Sequence, residues 1–331
     1  LTQTFGQCRA SNYLPLTRKA LAAAGFGRVP VVSLSAEGNS PETGLPIDRK
    51  KLVKRLALGL IFSDALARMT LATAPHEIQD GAAMELQKRY MTEMGRHLSD
   101  RGDFKTLIAL LRRAVRDFNA LPATSTPAPV VGVLGEIFVK YNAFSNNNIV
   151  EWLVSQGVEV VIPPLLSFFE QRFVNEEFDQ RAYLKRSFRD LVTTRLLDRY
   201  VRFYVNRVER VMEDFRHYRH QYDLKELAEE ASRATSLANQ AGEGWLLPAE
   251  MIAMLKGGVG NIICLQPFGC LANHIIGKGV EKRLKSLYQR LNLLFLDMDP
   301  GTSEVNILNR LHFIVMSARE GMQKERLIAE T

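Results

Sequence analysis

The 331-residue chain predicts an α/β fold with parallel, doubly wound sheet, on three observations. Apolar runs of strand length alternate with stretches of helical periodicity. The runs are continuously apolar, as in strands covered on both faces. Several of them end in a turn followed by a cluster of polar residues, which is how the ligand-binding edge of an open sheet reads. With 46% hydrophobic residues the chain can bury a sizeable core, and its length suggests about two domains.

The opening Leu-Thr-Gln-Thr reads as a strand entering a turn that carries Cys8. Because the first residue is Leu1 and a chain seldom begins inside a strand, the sequence reads as a piece of a longer protein. A helix over 14–24 stops at Gly25, a residue that tolerates the left-handed backbone of a helix end, and a strand over 29–34 completes a β-α-β unit. Residues 48–118 carry helical periodicity broken near Ala74-Pro-His-Glu and Ser99-Asp-Arg-Gly, which predicts three helices. Three prolines within residues 121–129 read as a linker. The domains are then a partial α/β domain with a helical bundle, residues 1–121, and an α/β domain over 130–331.

In the second domain, strands near 130–138, 158–163, 261–266 and 292–297 are expected to form one parallel sheet. Asn146-Asn-Asn148 is placed to cap a helix over 149–156, and further helices cover 277–290 and the stretch from Ser303. Residues 166–242 form a long helical insert rich in arginine and tyrosine, among them Arg199, Arg202, Arg210, Tyr200 and Tyr204. Basic residues interleaved with aromatics can serve nucleic acid. Interspersed acids such as Glu209, Glu213 and Asp214, with apolar residues at helical spacing, favour a solvated helix face, so no nucleic-acid partner is expected. The insert is expected to project from the sheet, with Arg199, Arg202 and Arg210 in solvent.

Three cysteines cannot build a disulfide framework, and an odd count leaves one free, which fits a reducing, cytoplasmic setting. No stretch approaches the roughly 18 apolar residues of a membrane span, and no signal peptide opens the chain. A P-loop, a His-Glu-x-x-His helix and a Gly-x-Ser-x-Gly elbow are absent, and Gly257-Gly-Val-Gly260 has the wrong spacing for a dinucleotide fingerprint. What remains is polar residues at strand ends. Gln3, Arg9, Ser11 and Asn12 flank Cys8; Glu136 and Asn146–Asn148 follow the strand at 130; Gln266, Asn273, His274 and Lys278 flank Cys270; Asp297 and Ser303 follow the last strand. Together they predict one crevice lined by amides, carboxylates and thiols.

These residues carry a resemblance. Gln3-Thr-Phe-Gly-Gln-Cys-Arg-Ala-Ser-Asn-Tyr13, Gly132-Val-Leu-Gly-Glu-Ile-Phe-Val-Lys140 with Asn146-Asn-Asn148, Gly242-Glu-Gly-Trp-Leu-Leu247, Cys264-Leu-Gln-Pro-Phe-Gly-Cys-Leu-Ala-Asn-His274 and the segment from Asp297 to Arg310 run in order through most of the chain. The sequence resembles the C-terminal module of the large acyl-CoA dehydratase activase-related proteins. More distantly it resembles the component D subunits of 2-hydroxyacyl-CoA dehydratases and the double-cubane cluster proteins. The resemblance implies two flavodoxin-like parallel-sheet layers, the second holding the long basic helical insert. It also implies a four-iron, four-sulfur cluster at the sheet edge, with ATP handled only by activase domains upstream.

Carried over residue by residue, the resemblance makes Cys8 and Cys270 cluster thiolates, with a further cysteine supplied upstream of Leu1. The two sulfurs would then face one cleft. Cys264 is a third candidate ligand, in competition with the role of a small buried hydrophobe inside the strand. Ala272 stands where the family pattern has proline. Glu136, Asn273, His274 and Ser303 would shape the reaction site, and Gln3, Arg9, Asn147 and Gln266 would line the cofactor. The implied function is low-potential electron transfer or dehydratase-like reductive chemistry, a lyase or reductase component. The implied partners are ATPase activase domains of the same or another chain, an acyl-CoA and a second copy in a homodimer. The alternative is a non-catalytic scaffold whose basic insert docks a partner.

Overall fold

The computed structural model describes residues 12–31, 49–100, 102–184 and 187–329. Gln3, Cys8 and Arg9 lie outside the described residues, as does the opening strand. Among them the chain is α/β, with one parallel sheet of β1 (Val130–Gly135), β2 (Glu159–Val161), β3 (Asn261–Gln266) and β4 (Asn292–Asp297) in the order β2-β1-β3-β4. Gly132 pairs with Val161 on one side and Ile262 on the other, and Cys264 pairs with Leu134 and Phe295. The strands fall where the apolar runs placed them, because a central parallel strand has no solvent face to mark with polar residues.

β1 is shorter than its apolar run. It ends at Gly135, whose φ of +134° is open only to glycine and where a Cβ would be driven into the Leu265 carbonyl oxygen. The apolar residues that follow belong instead to a short helix. Before the sheet come α1 (Tyr13–Ala23), α2 (Arg49–Thr73), α3 (Ala82–Asp100) and α4 (Phe104–Ala120). α1 is followed by Gly25 at φ +83°, the glycine stop that was expected. Of the strand expected over 29–34, residues 29–31 form no strand and 32–34 lie outside the described residues; every named strand among the described residues belongs to the one sheet, so no second sheet layer is seen there.

After β1 come α5 (Ile137–Tyr141) and α6 (Ile149–Ser155); between β2 and β3 come α7 (Leu165–Arg181), α8 (Phe188–Met212), α9 (Leu224–Ala231) and α10 (Leu246–Lys256). α11 (Glu281–Leu287) joins β3 to β4, and α12 (Glu304–Ala329) follows β4. One face of the sheet, through Val131, Val133, Ile263 and Leu265, is covered by Ile149 and Leu153 of α6 and by Ile307, Leu311 and Ile314 of α12. The other, through Leu134, Ile262, Cys264 and Phe295, packs on Leu227 of α9, Met251 and Ile252 of α10 and Leu284 of α11. Asn148, at φ +54°, stands at the start of α6 but makes no side-chain cap; its neighbour Asn146 is buried and donates to the Val139 and Lys140 carbonyls.

The domain division differs from the expected one. Phe62, Leu66 and Met69 of α2, Tyr90 of α3, Leu111 and Phe118 of α4 and Val208, Val211 and Met212 of α8 share one core. The prolines of 121–129 therefore do not separate two cores, and the insert packs back on the helices that precede the sheet instead of projecting alone. The reason is that α8 has an apolar stripe of its own, and burying it against α4 removes both stripes from water. Its charges follow suit. Arg199 and Arg210 are exposed as expected, but Arg202 is half-buried between Asp198 and Asp223. α2 has the expected length but is more apolar than anticipated. By length and composition the stretch Leu52–His76 could cross a membrane, its most apolar 18 residues having a mean hydropathy of 1.4, yet half of those are buried inside the protein.

Candidate functional site

The strand order reverses direction between β1 and β3. β1 leads to α5 and α6, with α6 on one face of the sheet, and β3 leads to α11 on the other, so a crevice opens beyond the carboxyl ends of these two neighbouring strands. Six of the residues singled out in the sequence lie there: Glu136, Gln266, Cys270, Asn273, His274 and Asp297.

From β1 comes Glu136, whose backbone N–H donates to the Leu265 carbonyl at 2.9 Å and whose carboxylate accepts from Val139 N at 2.9 Å, capping α5. A second carboxylate serves the same helix start: Glu243 accepts from Ile137 N at 2.8 Å. Both are buried. Burial, and then the charge of Glu136, push the Glu243 carboxyl up to about 7. Burial likewise raises Glu136, opposed by the Val139 and Phe138 amides and by Lys140. Two buried carboxylates on one helix terminus cannot both ionise cheaply, so the pair holds a proton near neutral pH. Behind them Lys140 and Glu250, each about 5% exposed or less, form an ion pair at 3.4 Å.

From β3 comes the thiol. Cys270 is half-buried after the turn at Gly269, which has φ +73°. Asn273, completely buried, donates from Nδ2 to Cys270 Sγ at 3.1 Å, and the Cys264 thiol reaches Asn273 Oδ1 at 3.9 Å. One amide thus bridges both sulfurs. Asn273 and His274 sit in a π-helical segment, Ala272–Lys278, a geometry frequent at functional sites. Burial raises the Cys270 thiol, the Asn273 hydrogen bonds oppose this, and Glu243 and Glu136 push it higher. Cys264 is sealed in the sheet core and burial raises its thiol far above the ordinary value, which favours the small hydrophobe over the ligand.

At the β4 side Gln266, also fully buried, donates to Asp297 Oδ1 at 2.6 Å and lies 3.4 Å from His274 Nδ1. Its own Oε1 and His274 Nε2 are buried without hydrogen-bond partners, and His274 Nε2 is 3.9 Å from Asp297. Orphaned polar atoms at a switch point ask for a ligand. Ser303 is exposed just before α12, one strand further on, and Asn147 is exposed at φ +54°. Neither reaches the thiol's hydrogen-bond network.

Glu243 was not anticipated as a site residue. The signal was present in Gly242-Glu-Gly244, where two glycines at φ +60° and +45° bracket one carboxylate ahead of the fully buried Trp245. The expected cluster set is incomplete among the described residues, where no group of three or more His, Cys, Asp or Glu could hold a metal. A cavity of about 470 Å³ lies elsewhere, between the helical core and the β2 edge. No known family, curated protein or solved structure matches the chain.

Proposed function

We propose that the chain is the iron–sulfur module of an ATP-driven acyl-CoA dehydratase/activase system, with a flavodoxin-like sheet and with Cys270 as the thiolate contributed at the switch point. The observation that carries this is the half-buried Cys270 sulfur held by the Asn273 amide beside the orphaned Gln266 Oε1 and His274 Nε2. A second observation supports it. The Tyr13 ring packs on Phe138 at 5.9 Å, just beyond Glu136, and Cys8 is five residues before Tyr13, within about 17 Å of fully extended chain.

The described residues fit one thiolate and its hydrogen-bond donor; the remaining ligands come from Cys8 and from outside this chain. A bound four-iron, four-sulfur cluster would supply low-potential electrons. The chain's own contribution is to hold the sulfur. Asn273 fixes Cys270, Gln266 orients His274 and Asp297, and the Glu136–Glu243 pair keeps a proton beside the thiol so that less negative charge accumulates there. Exposed Phe138, Phe144, Phe268, Leu271 and Ile275, on the segments that follow β1 and β3, form an apolar rim where ATPase activase domains would dock, in the cytoplasm and without nucleic acid or membrane.

The test is anaerobic purification and reconstitution with iron and sulfide. Brown protein with stoichiometric iron, lost in Cys270→Ser and kept in Cys264→Ala, supports the reading. A second reading, a non-catalytic scaffold, is favoured by the absence of a three-ligand group among the described residues. Colourless protein after reconstitution, whether or not Cys270 is present, would select it.

A further inference from the structure

The cavity at the β2 edge has a volume of about 470 Å³ and is walled by α2, α7 and α8 on one side and by the β2 exit and α10 on the other. Clefts of this size between two packed bodies are where small ligands bind. We propose that it binds an organic cation, a primary ammonium ion on an apolar body, with the ammonium set against Glu170.

The charges of the wall make that choice. Each cation on it is already engaged: Arg68 with Glu209, Arg202 with Asp198 and Asp223, Arg219 with Glu159, and Lys225 with Asp198 and Glu177. No guanidinium fork is left for a phosphate or a carboxylate, so the cavity does not suit a nucleotide or the phosphates of an acyl-CoA. Glu170, by contrast, lines the cavity with neither a hydrogen bond nor an ion pair. Phe173, Val205, Met212 and Leu246 supply apolar wall, and the Tyr218 and Tyr222 rings already carry Arg68 and Lys256 at 5.9 and 5.0 Å, which leaves Glu170 to meet the ammonium.

Burial raises the Glu170 carboxyl to about 7; among the charges facing it, Arg202 of α8 lowers it, while Asp198 of α8, Asp223 before α9 and Asp64 of α2 raise it. An ammonium ion therefore displaces a proton on binding, and its affinity rises as pH rises through that value. This site is separate from the Cys270 crevice, and its failure would leave the reading of that crevice untouched.

The probe is n-hexylamine, titrated calorimetrically into the full chain at pH 8 and pH 5.5, with hexanoate as the charge-reversed control. Expected are one site per chain, at least tenfold weaker binding of hexanoate, at least tenfold weaker binding of the amine at pH 5.5, and at least tenfold loss in Glu170→Gln. That substitution removes a buried charge, so the variant folds. Ala67→Phe, which fills the cavity, should abolish binding as well. Hexanoate binding as well as the amine, unchanged affinity in Glu170→Gln, or no binding of the amine would each overturn the proposal.

Discussion

Replacing Glu243 by Gln should make the protein more stable at alkaline pH and leave it unchanged in acid. Glu243 is 4% exposed, and its carboxyl rises from the ordinary 4.5 to about 7 in the folded state. The folded state therefore holds this proton more tightly than the unfolded chain does. The stability that comes with the proton is fully present below pH 4.5 and is lost as pH rises through about 7. Two and a half units at about 1.36 kcal/mol each make a difference of roughly 3 kcal/mol. Gln keeps an oxygen for the Ile137 amide, cannot ionise, and its NH₂ can donate to Glu136. At pH 8 the variant should be the more stable by up to about 3 kcal/mol, and at pH 4.5 the two should agree within about 0.5 kcal/mol. Because Glu136 is the second cause of the shift, part of the titration passes to it in the variant, which lowers the gain. Urea unfolding at four pH values between these limits measures it. A difference that stays flat with pH, or wild type gaining on the variant as pH rises, would refute the shared-proton account.

Other substitutions probe the rest of the structure. Gly135→Ala should cost at least about 3 kcal/mol in urea unfolding, since φ of +134° and the Leu265 carbonyl both exclude a methyl group; a cost under about 1 kcal/mol would contradict this. Glu250→Leu should lose about 3–5 kcal/mol by stranding the Lys140 ammonium, and adding Lys140→Met should restore most of it; a single variant as stable as the double would count against the pair. Cys264→Ala should lose about 1–2 kcal/mol from the sheet core and leave alkylation of Cys270 unchanged, as read by mass spectrometry. Arg202→Ala should cost more than about 1 kcal/mol, because Asp223 loses its ion-pair partner and Asp198 keeps only Lys225, whereas exposed Arg199→Ala should stay within about 0.5 kcal/mol of wild type.

By itself the sequence determined the elements whose signal is local. β3 and β4 span the expected residues, because a strand buried on both faces is written as an unbroken apolar run. α2, α3 and α4 break where Pro75 and Gly102 interrupt the periodicity, and the site residues Glu136, Gln266, Cys270 and Asn273 could be named because polar groups at carboxyl ends of parallel strands are conspicuous in such a pattern. The end of β1 was not legible, since Ile137, Phe138 and Val139 are as apolar in a helix as in a strand and only the close approach of Leu265 to Gly135 decides between them. Tertiary structure alone decided which apolar stripe α8 meets, that Arg202 is half-buried and paired with Asp223, that Cys264 points into the core, and that Glu243 shares a helix terminus with Glu136 across 106 residues. Periodicity says that a face must be buried, but not against what. A carboxylate shows its altered proton affinity only once the fold has removed its water and set another charge beside it.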